Sequence, residues 1–400
     1  MANRGSVAIV GGSIGGLTTG LLLRRAGFAV TIYERNPSEF SGRGGGIVLQ
    51  PEMLRWFKEV SDQNPGQLST RSRFLRYLGS DNEIVFEEPV EWRFSSWSTL
   101  YRALLKDFGT DQYLLGHNVR GVQQSDKSVT LEFDKGTVAT ADFAVFADGI
   151  TSTGRQVIAP EAQPEYSGYI GWRGTVPEQE FTDESLALIG DSLGYCFVKD
   201  GHICMYPIPG PQGEIDPGHR LMNYVYYQNV AEGEALEAIM TDIEGYRGPV
   251  SVPQGRVQER FITAMKEHAA ETLAPAAAEL VTKTAEPYIQ VIYDVRVPRM
   301  CEGRIAILGD AGFIGRPHAA AGSAKAADDA WALFETFESN TASDIPEILA
   351  VWEKERLTVG NNLVDRVSMM GRRAQFQHDW DPTELELRFG LKGGVLEPAY

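Results

Sequence analysis

Residues 6–34 restrict the possible folds more than any other stretch. Val7-Ala8-Ile9-Val10 is an apolar run of strand type, Gly11-Gly12-Ser13-Ile14-Gly15-Gly16 is a tight turn, residues 17–26 carry a helix pattern closed by Gly27, and residues 29–33 form a second strand ending at Glu34. Strand, glycine turn, helix and strand within about 30 residues make up a dinucleotide-binding βαβ unit. Gly11 permits the turn and Gly16 lets the helix pack closely on the sheet, while Ser13, Ile14 and Gly15 lie where the free N–H groups of the helix start would meet a pyrophosphate. Glu34 is placed to accept from the two hydroxyls of an adenosine ribose, and a carboxylate there disfavours a 2′-phosphate. The middle glycine of the fingerprint is replaced by Ser13, which narrows the pyrophosphate space without closing it.

A chain of 400 residues with 43% hydrophobic and 23% charged residues suits a globular protein of two domains or one large interleaved one. No apolar run approaches the ~18 residues of a membrane span. The N-terminus lacks a secretory pattern because the first strand begins almost at once, so a cytoplasmic protein is expected. A net charge of −17 argues against nucleic acid and anionic membranes as partners, and means that an anionic substrate needs local positive charge. Cys196, Cys204 and Cys301 have neither metal-site nor redox-pair spacing, so no metal is expected and the thiols read as buried.

Further along, residues 43–49 form a glycine run leading into an extended segment that ends at Gln50 and Pro51. Residues 97–108 read as a helix, and residues 113–142 alternate like a meander. Phe143-Ala144-Val145-Phe146 is a buried strand followed by Ala147-Asp148-Gly149, and Ile305-Ala306-Ile307-Leu308 is another, followed by Gly309-Asp310-Ala311. Between them, residues 166–297 alternate aromatic and β-branched runs with Gly/Pro loops, as a separate antiparallel sheet would. Helices are expected around residues 319–337 and 345–370, and a loosely held tail from about His378. The expected class is α/β. A Rossmann-like FAD-binding domain of the glutathione reductase type (residues 1–75, 97–165 and 301–375) is interleaved with an antiparallel-sheet substrate domain (76–96 and 166–300), followed by a tail (376–400).

With the glycine turn, the Asp148-Gly149 segment closing at Arg155, and the Gly309-Asp310 segment in this order, the chain resembles the class A flavoprotein monooxygenases, the single-component aromatic hydroxylases. Residues 166–174, 206–210, 229–233 and 316–322 resemble most the branch that hydroxylates hydroxypyridines. The resemblance implies a non-covalent FAD and a transient NADH or NADPH, since no second dinucleotide fingerprint occurs. It also implies O2, and attack of a flavin C4a-hydroperoxide on an electron-rich ring. It assigns Asp310 to the ribityl chain with Gly309 giving backbone access, Asp148 and Arg155 to a motif shared by FAD and nicotinamide, and Gly322 to a helix aimed at the flavin. Pro317 and Arg35 are also expected at the cofactor, with Gln50 at the flavin ring and Arg43 at ribose or pyrophosphate.

Three departures stand out: Phe313-Ile314 where the family usually has His-Pro, Ala320-Ala321 where it has Gly-Gln, and Trp97 where it often has an arginine. The first two point to a remodelled pocket. His318 is the expected base, because an ordinary imidazole titrates near operating pH. Tyr206 is expected to orient a ring substituent, and Arg173 and Arg316 are each open to a charge-supplying or a structural role. Other hydroxylated aromatic substrates, salicylate-, hydroxynicotinate- or urate-like, use the same scaffold. A flavin-dependent dehydrogenase would not need the Gly309-Asp310 segment. An electron-transfer module would not need the aromatic sheet, and the Trp-x-Trp-x-Ile-Pro segment of flavin halogenases is absent. The broad apolar surfaces of the architecture suggest a homodimer.

Overall fold

The computed structural model describes residues 4–40, 45–340 and 344–393. One sheet runs in the order β17 (Cys301–Glu302), β18 (Ile305–Ile307), β10 (Phe143–Phe146), β1 (Ser6–Val10), β2 (Ala29–Glu34), β6 (Tyr113–Leu115). Its neighbours are parallel except β17 and β18. The central strands are apolar without alternation because both faces are buried. Around them α1 (Ile14–Arg25) packs on α3 (Trp97–Phe108) and on α9 (Gly322–Ser339), and α9 also packs on α2 (Pro51–Glu59) and α10 (Ile345–Arg372). The meander forms a separate three-stranded sheet of β7 (Val119–Gln124), β8 (Val129–Phe133) and β9 (Val138–Ala141).

The second sheet has nine strands. Its order is β15 (Ser251–Val252), β16 (Tyr288–Asp294), β11 (Glu165–Pro177), β14 (Leu221–Asn229), β13 (Gly201–Ile208), β12 (Ser192–Val198), β4 (Thr70–Leu78), β5 (Ile84–Ser96), β3 (Gly46–Val48). Only β12 and β4 run parallel. Side chains alternate between faces with period two. Trp172, Met222, Tyr224 and Tyr226 pack in one apolar cluster with α6 (Glu234–Ile239), α7 (Glu259–Thr272) and α8 (Pro275–Lys283), and α5 (Asp183–Ile189) packs on α8. The residues between them, Arg173, Val225 and Tyr227, face the other way, into a cavity shared with the first sheet.

Two boundaries differ from the sequence reading. The division at residue 75 falls inside β4, and β3 belongs to the nine-stranded sheet, where Gly46, Ile47 and Val48 pair with Ser96, Ser95 and Phe94. A three-residue strand has too little side chain to announce its partner, and here the exposed edge of β5 satisfies its backbone groups. Residues 378–393 are not a loose tail. Leu387, Phe389 and Leu391 are buried, and the Leu391 N–H donates to Gln50 Oε1 at 2.9 Å: Leu387 and Leu391 join the core around the first sheet, while Phe389, with Trp380, lines the shared cavity. Among the described residues no helix is long and apolar enough to cross a membrane.

Candidate active site

The glycine turn opens α1 toward the cavity. Gly11 has φ +101°, and a Cβ there would lie 2.4 Å from the Ala147 carbonyl oxygen. A Cβ on Gly16 would lie 1.9 Å from the Gly11 carbonyl oxygen, so only glycine allows the first turn to close on the strand. Ser13 stands at the N-cap without a side-chain cap bond, and Ser13, Ile14 and Gly15 line the cavity with the first N–H groups of α1 available to an anion. Glu34 is buried, and its carboxylate accepts from Gly12 N–H at 2.8 Å and from the backbone and side-chain amides of Asn36 at 2.9 and 2.6 Å. It is not among the residues that line the cavity. Arg35 is exposed and donates to Thr151 Oγ1 at 3.1 Å, and Arg43 lies outside the described residues.

The turns after β10 and β18 meet beside that helix start. Gly149 has φ +78° with open space around it, and Gly309 has φ +59° with Ala326 3.0 Å from the position a Cβ would take. Asp310 borders the cavity, and among the described residues its carboxylate takes no protein hydrogen bond, while burial pushes its pKa up against the opposing pull of Lys325 and Arg155. A carboxylate held by no protein donor at a cavity wall, beside a glycine-lined cradle, fits a polyol chain running between a pyrophosphate and a ring. The residues present therefore fit FAD.

Three sequence assignments in this region are corrected. Arg155 does not face the cavity: its guanidinium donates to the carbonyls of Ile150, Asp310 and Ala311, at 3.3 and 3.1 Å for the last two, and so clamps the two turns together. Asp148 turns away as well. Its Oδ2 accepts from Thr153 N–H at 2.7 Å and Gly154 N–H at 3.4 Å, capping α4 (Thr153–Ile158), and it is Ala147, Gly149 and Ile150 that line the cavity. Gln50 uses its amide on the Ala320 carbonyl, at 2.8 Å, and on Leu391. All three hold backbone of the cavity walls in place: Asp148 as a short carboxylate bonding nearby N–H groups, Arg155 and Gln50 through carbonyls brought beside them by the fold.

The cavity, of about 810 Å³, continues without interruption from this cradle to the nine-stranded sheet. Pro317 and Gly322 line its middle at the start of α9, and Trp380 and Phe389 close its far side. Tyr206 stacks on Phe94 with ring centroids 4.4 Å apart, and burial pushes its phenol far above the ordinary range, so it remains a hydrogen-bond donor. His318 Nε2 lies 2.7 Å from Tyr169 Oη. Burial first, then His202 and Arg316, hold the His318 pKa well below the ordinary imidazole range, so the expected base titrating near neutrality is not found: the ring stays neutral.

His202 was missed from sequence. It lies between Phe197 and Tyr227 with centroids at 4.8 and 4.6 Å, its Nδ1 is 2.7 Å from Gln375 Nε2, and burial pushes its pKa down to about 3. The signal was present, since His202, Cys204 and Tyr206 alternate along one strand. Arg316 pairs with Asp294 at 2.9 Å and is structural. Arg173 lines the cavity and pairs with no carboxylate among the described residues.

A model described as NAD(P)-binding Rossmann-like domain matches residues 9–58, and one described as FAD binding domain-like matches residues 166–294. The chain is 36% identical to 2,6-dihydroxypyridine 3-monooxygenase of Paenarthrobacter nicotinovorans over 98% of this chain and 97% of that protein. It belongs to the class A FAD-dependent aromatic monooxygenases, whose cofactors are FAD and NAD(P)H. The solved structure of 2,6-dihydroxypyridine-3-hydroxylase from Arthrobacter nicotinovorans superposes with a TM-score of 0.91, at 35% identity and 97% coverage of both chains. A more distant relative is 6-hydroxynicotinate 3-monooxygenase of Bordetella bronchiseptica, 26% identical over 92% of this chain and 91% of that protein.

Proposed function

We propose that this monooxygenase converts 2,6-dihydroxypyridine to 2,3,6-trihydroxypyridine with NAD(P)H and O2. The likeness to the Paenarthrobacter enzyme over nearly the whole chain supports the substrate. The observation that carries the reading is the single cavity joining a dinucleotide cradle to an aromatic wall with one guanidinium in it. When bound and reduced by NAD(P)H, FAD would activate O2 for transfer of one oxygen atom to the ring, the other leaving as water. Gly11, Ser13, Ile14, Gly15 and Gly16 hold its pyrophosphate on the α1 start, Glu34 takes its adenosine ribose, with Arg35 at the mouth, and Asp310, beside Gly309, accepts from its ribityl hydroxyls. Pro317 and Gly322 present the α9 N-terminus to the ring edge where negative charge grows. Arg155, Asp148 and Gln50 keep these turns in place. Tyr206 and neutral His318 offer hydrogen bonds to ring substituents, and Trp380 and Phe389 exclude water.

The reading also includes a cytoplasmic location and assembly as a homodimer, which cell fractionation and gel filtration test. The decisive experiment follows NADH and NADPH oxidation by the FAD-loaded enzyme in air, with and without 2,6-dihydroxypyridine, together with the product mass. Stimulated oxidation with one oxygen added per nicotinamide is expected. Oxidation that yields hydrogen peroxide alone would move the substrate elsewhere.

A further inference from the structure

We propose that Arg173 makes the cavity selective for the ring-oxyanion form of its aromatic substrate, so that the ring arrives already ionised and no protein side chain has to deprotonate it. This rests on the hydroxypyridine reading above. Arg220 pairs with Glu178 at 2.6 Å, Arg316 with Asp294, Arg356 with Asp328, and Arg155 with three carbonyls. Arg173 differs. It lines the cavity with no carboxylate beside it among the described residues, and the titratable groups facing it are Tyr288 of β16, Tyr227 of β14, and Tyr206 and Cys204 of β13. All four are neutral near pH 7, because burial raises the three phenols and pushes the Cys204 thiol up to about 12.

A cation enclosed by neutral groups is costly unless an anion joins it. The cavity is the open side, and a ligand is the anion that can come through it. Tyr288 faces Arg173, and both Arg173 Nη1 and the Tyr288 hydroxyl pack against the backbone at Gly45, at 3.0 and 3.1 Å from where a Cβ there would stand, so the guanidinium sits in a packed wall before a ligand arrives. A planar, charge-delocalised oxyanion beside Tyr206 and Tyr227 suits a planar guanidinium. The other groups near it do not replace Arg173 in this role, since His318 and His202 are held neutral and far from titrating at working pH. The substrate proton is lost to solvent before binding, and the negative charge left on the ring makes it electron-rich where it is oxidised.

Two measurements on the FAD-loaded enzyme test this. The first is kcat/KM against pH for a series of hydroxypyridines of different acidity. The midpoint of the rising limb is expected to move with each substrate's own pKa. A midpoint that stays fixed across the series would mean that an enzyme group takes the proton, and would overturn the proposal. So would a rate that follows a ring carboxylate rather than the ring hydroxyl.

The second measurement is calorimetric binding of 4-cyanophenol on either side of its own pKa. This probe needs no turnover and so remains informative even if 2,6-dihydroxypyridine is not the substrate. The phenolate should bind on the order of 10²-fold more tightly than the phenol. Arg173→Met should abolish that preference while Arg173→Lys retains part of it, with FAD content reporting on folding. Equal affinity for both forms, or an unchanged preference in Arg173→Met, would refute it. If Arg173→Met does not fold, the wild-type comparison and Arg173→Lys decide.

Discussion

At the scale of single residues, the working surface of this enzyme is separated from its scaffolding by what each polar group already touches. Asp310 borders the cavity without a protein donor among the described residues, whereas Asp148 (through Oδ2), Arg155 and Gln50, equally suggestive in sequence, are engaged by backbone groups. Asp310→Asn is therefore expected to weaken FAD binding by roughly 10- to 100-fold, the size of a hydrogen bond to a charged group, with little change in fold. Flavin-fluorescence titration reads the first and thermal unfolding the second, and an unchanged FAD affinity would remove Asp310 from the cofactor site. The same distinction explains which site residues were legible. Gly11, Gly16, Gly309 and Asp310 follow apolar strands at turn positions, and local spacing is enough to place them. His202 and Tyr169 meet His318, and Trp380 meets His202, only across long stretches of chain, and no local pattern announces such meetings.

At the scale of elements, two short segments decide how the cavity is closed. The bend before α9 holds Ala320 at φ +51°, a left-handed conformation that costs a side-chain-bearing residue about 1–2 kcal/mol, and it aims the Ala320 carbonyl at Gln50. Ala320→Gly should thus raise stability by up to about 1 kcal/mol, after allowing for the greater unfolded-state entropy of glycine, and the denaturation midpoint should rise. The second segment is residues 378–393, held by Arg373 to Glu384 and by Arg388 to Glu88, with Trp380 and Phe389 on the cavity. A protein ending at residue 377 should still bind FAD but release more hydrogen peroxide per NAD(P)H consumed, because water reaches the ring site. Peroxide yield measured against nicotinamide oxidation checks this, and an unchanged ratio would show that the segment is not a seal. Its few apolar residues look ordinary in sequence; only the cavity they cover gives them a role.

For the molecule as a whole, two neutral histidines buried at the centre link stability to pH. His202 titrates near 3 when folded against about 6.5 when unfolded, so between these values the unfolded chain binds more protons. Stability is complete above about pH 6.5 and falls as pH drops toward 3, by roughly 2 kcal/mol at pH 5 from His202 alone. His318, depressed in the same direction, adds to the slope. Thermal unfolding between pH 5 and 8 should show this fall, and His202→Gln should flatten it; an equal slope in the variant would rule His202 out as its source. Sequence alone determined the βαβ entrance, the two later strand-turn segments and the aromatic sheet, because strand and helix periodicity and glycine turns are local properties, and the resemblance of its motifs pointed to the family. Tertiary structure decided which polar residues face the cavity, that the tail is its wall, and that the site is built around neutral histidines and an unpaired arginine. Burial, partners and protonation depend on what the rest of the chain brings alongside each group.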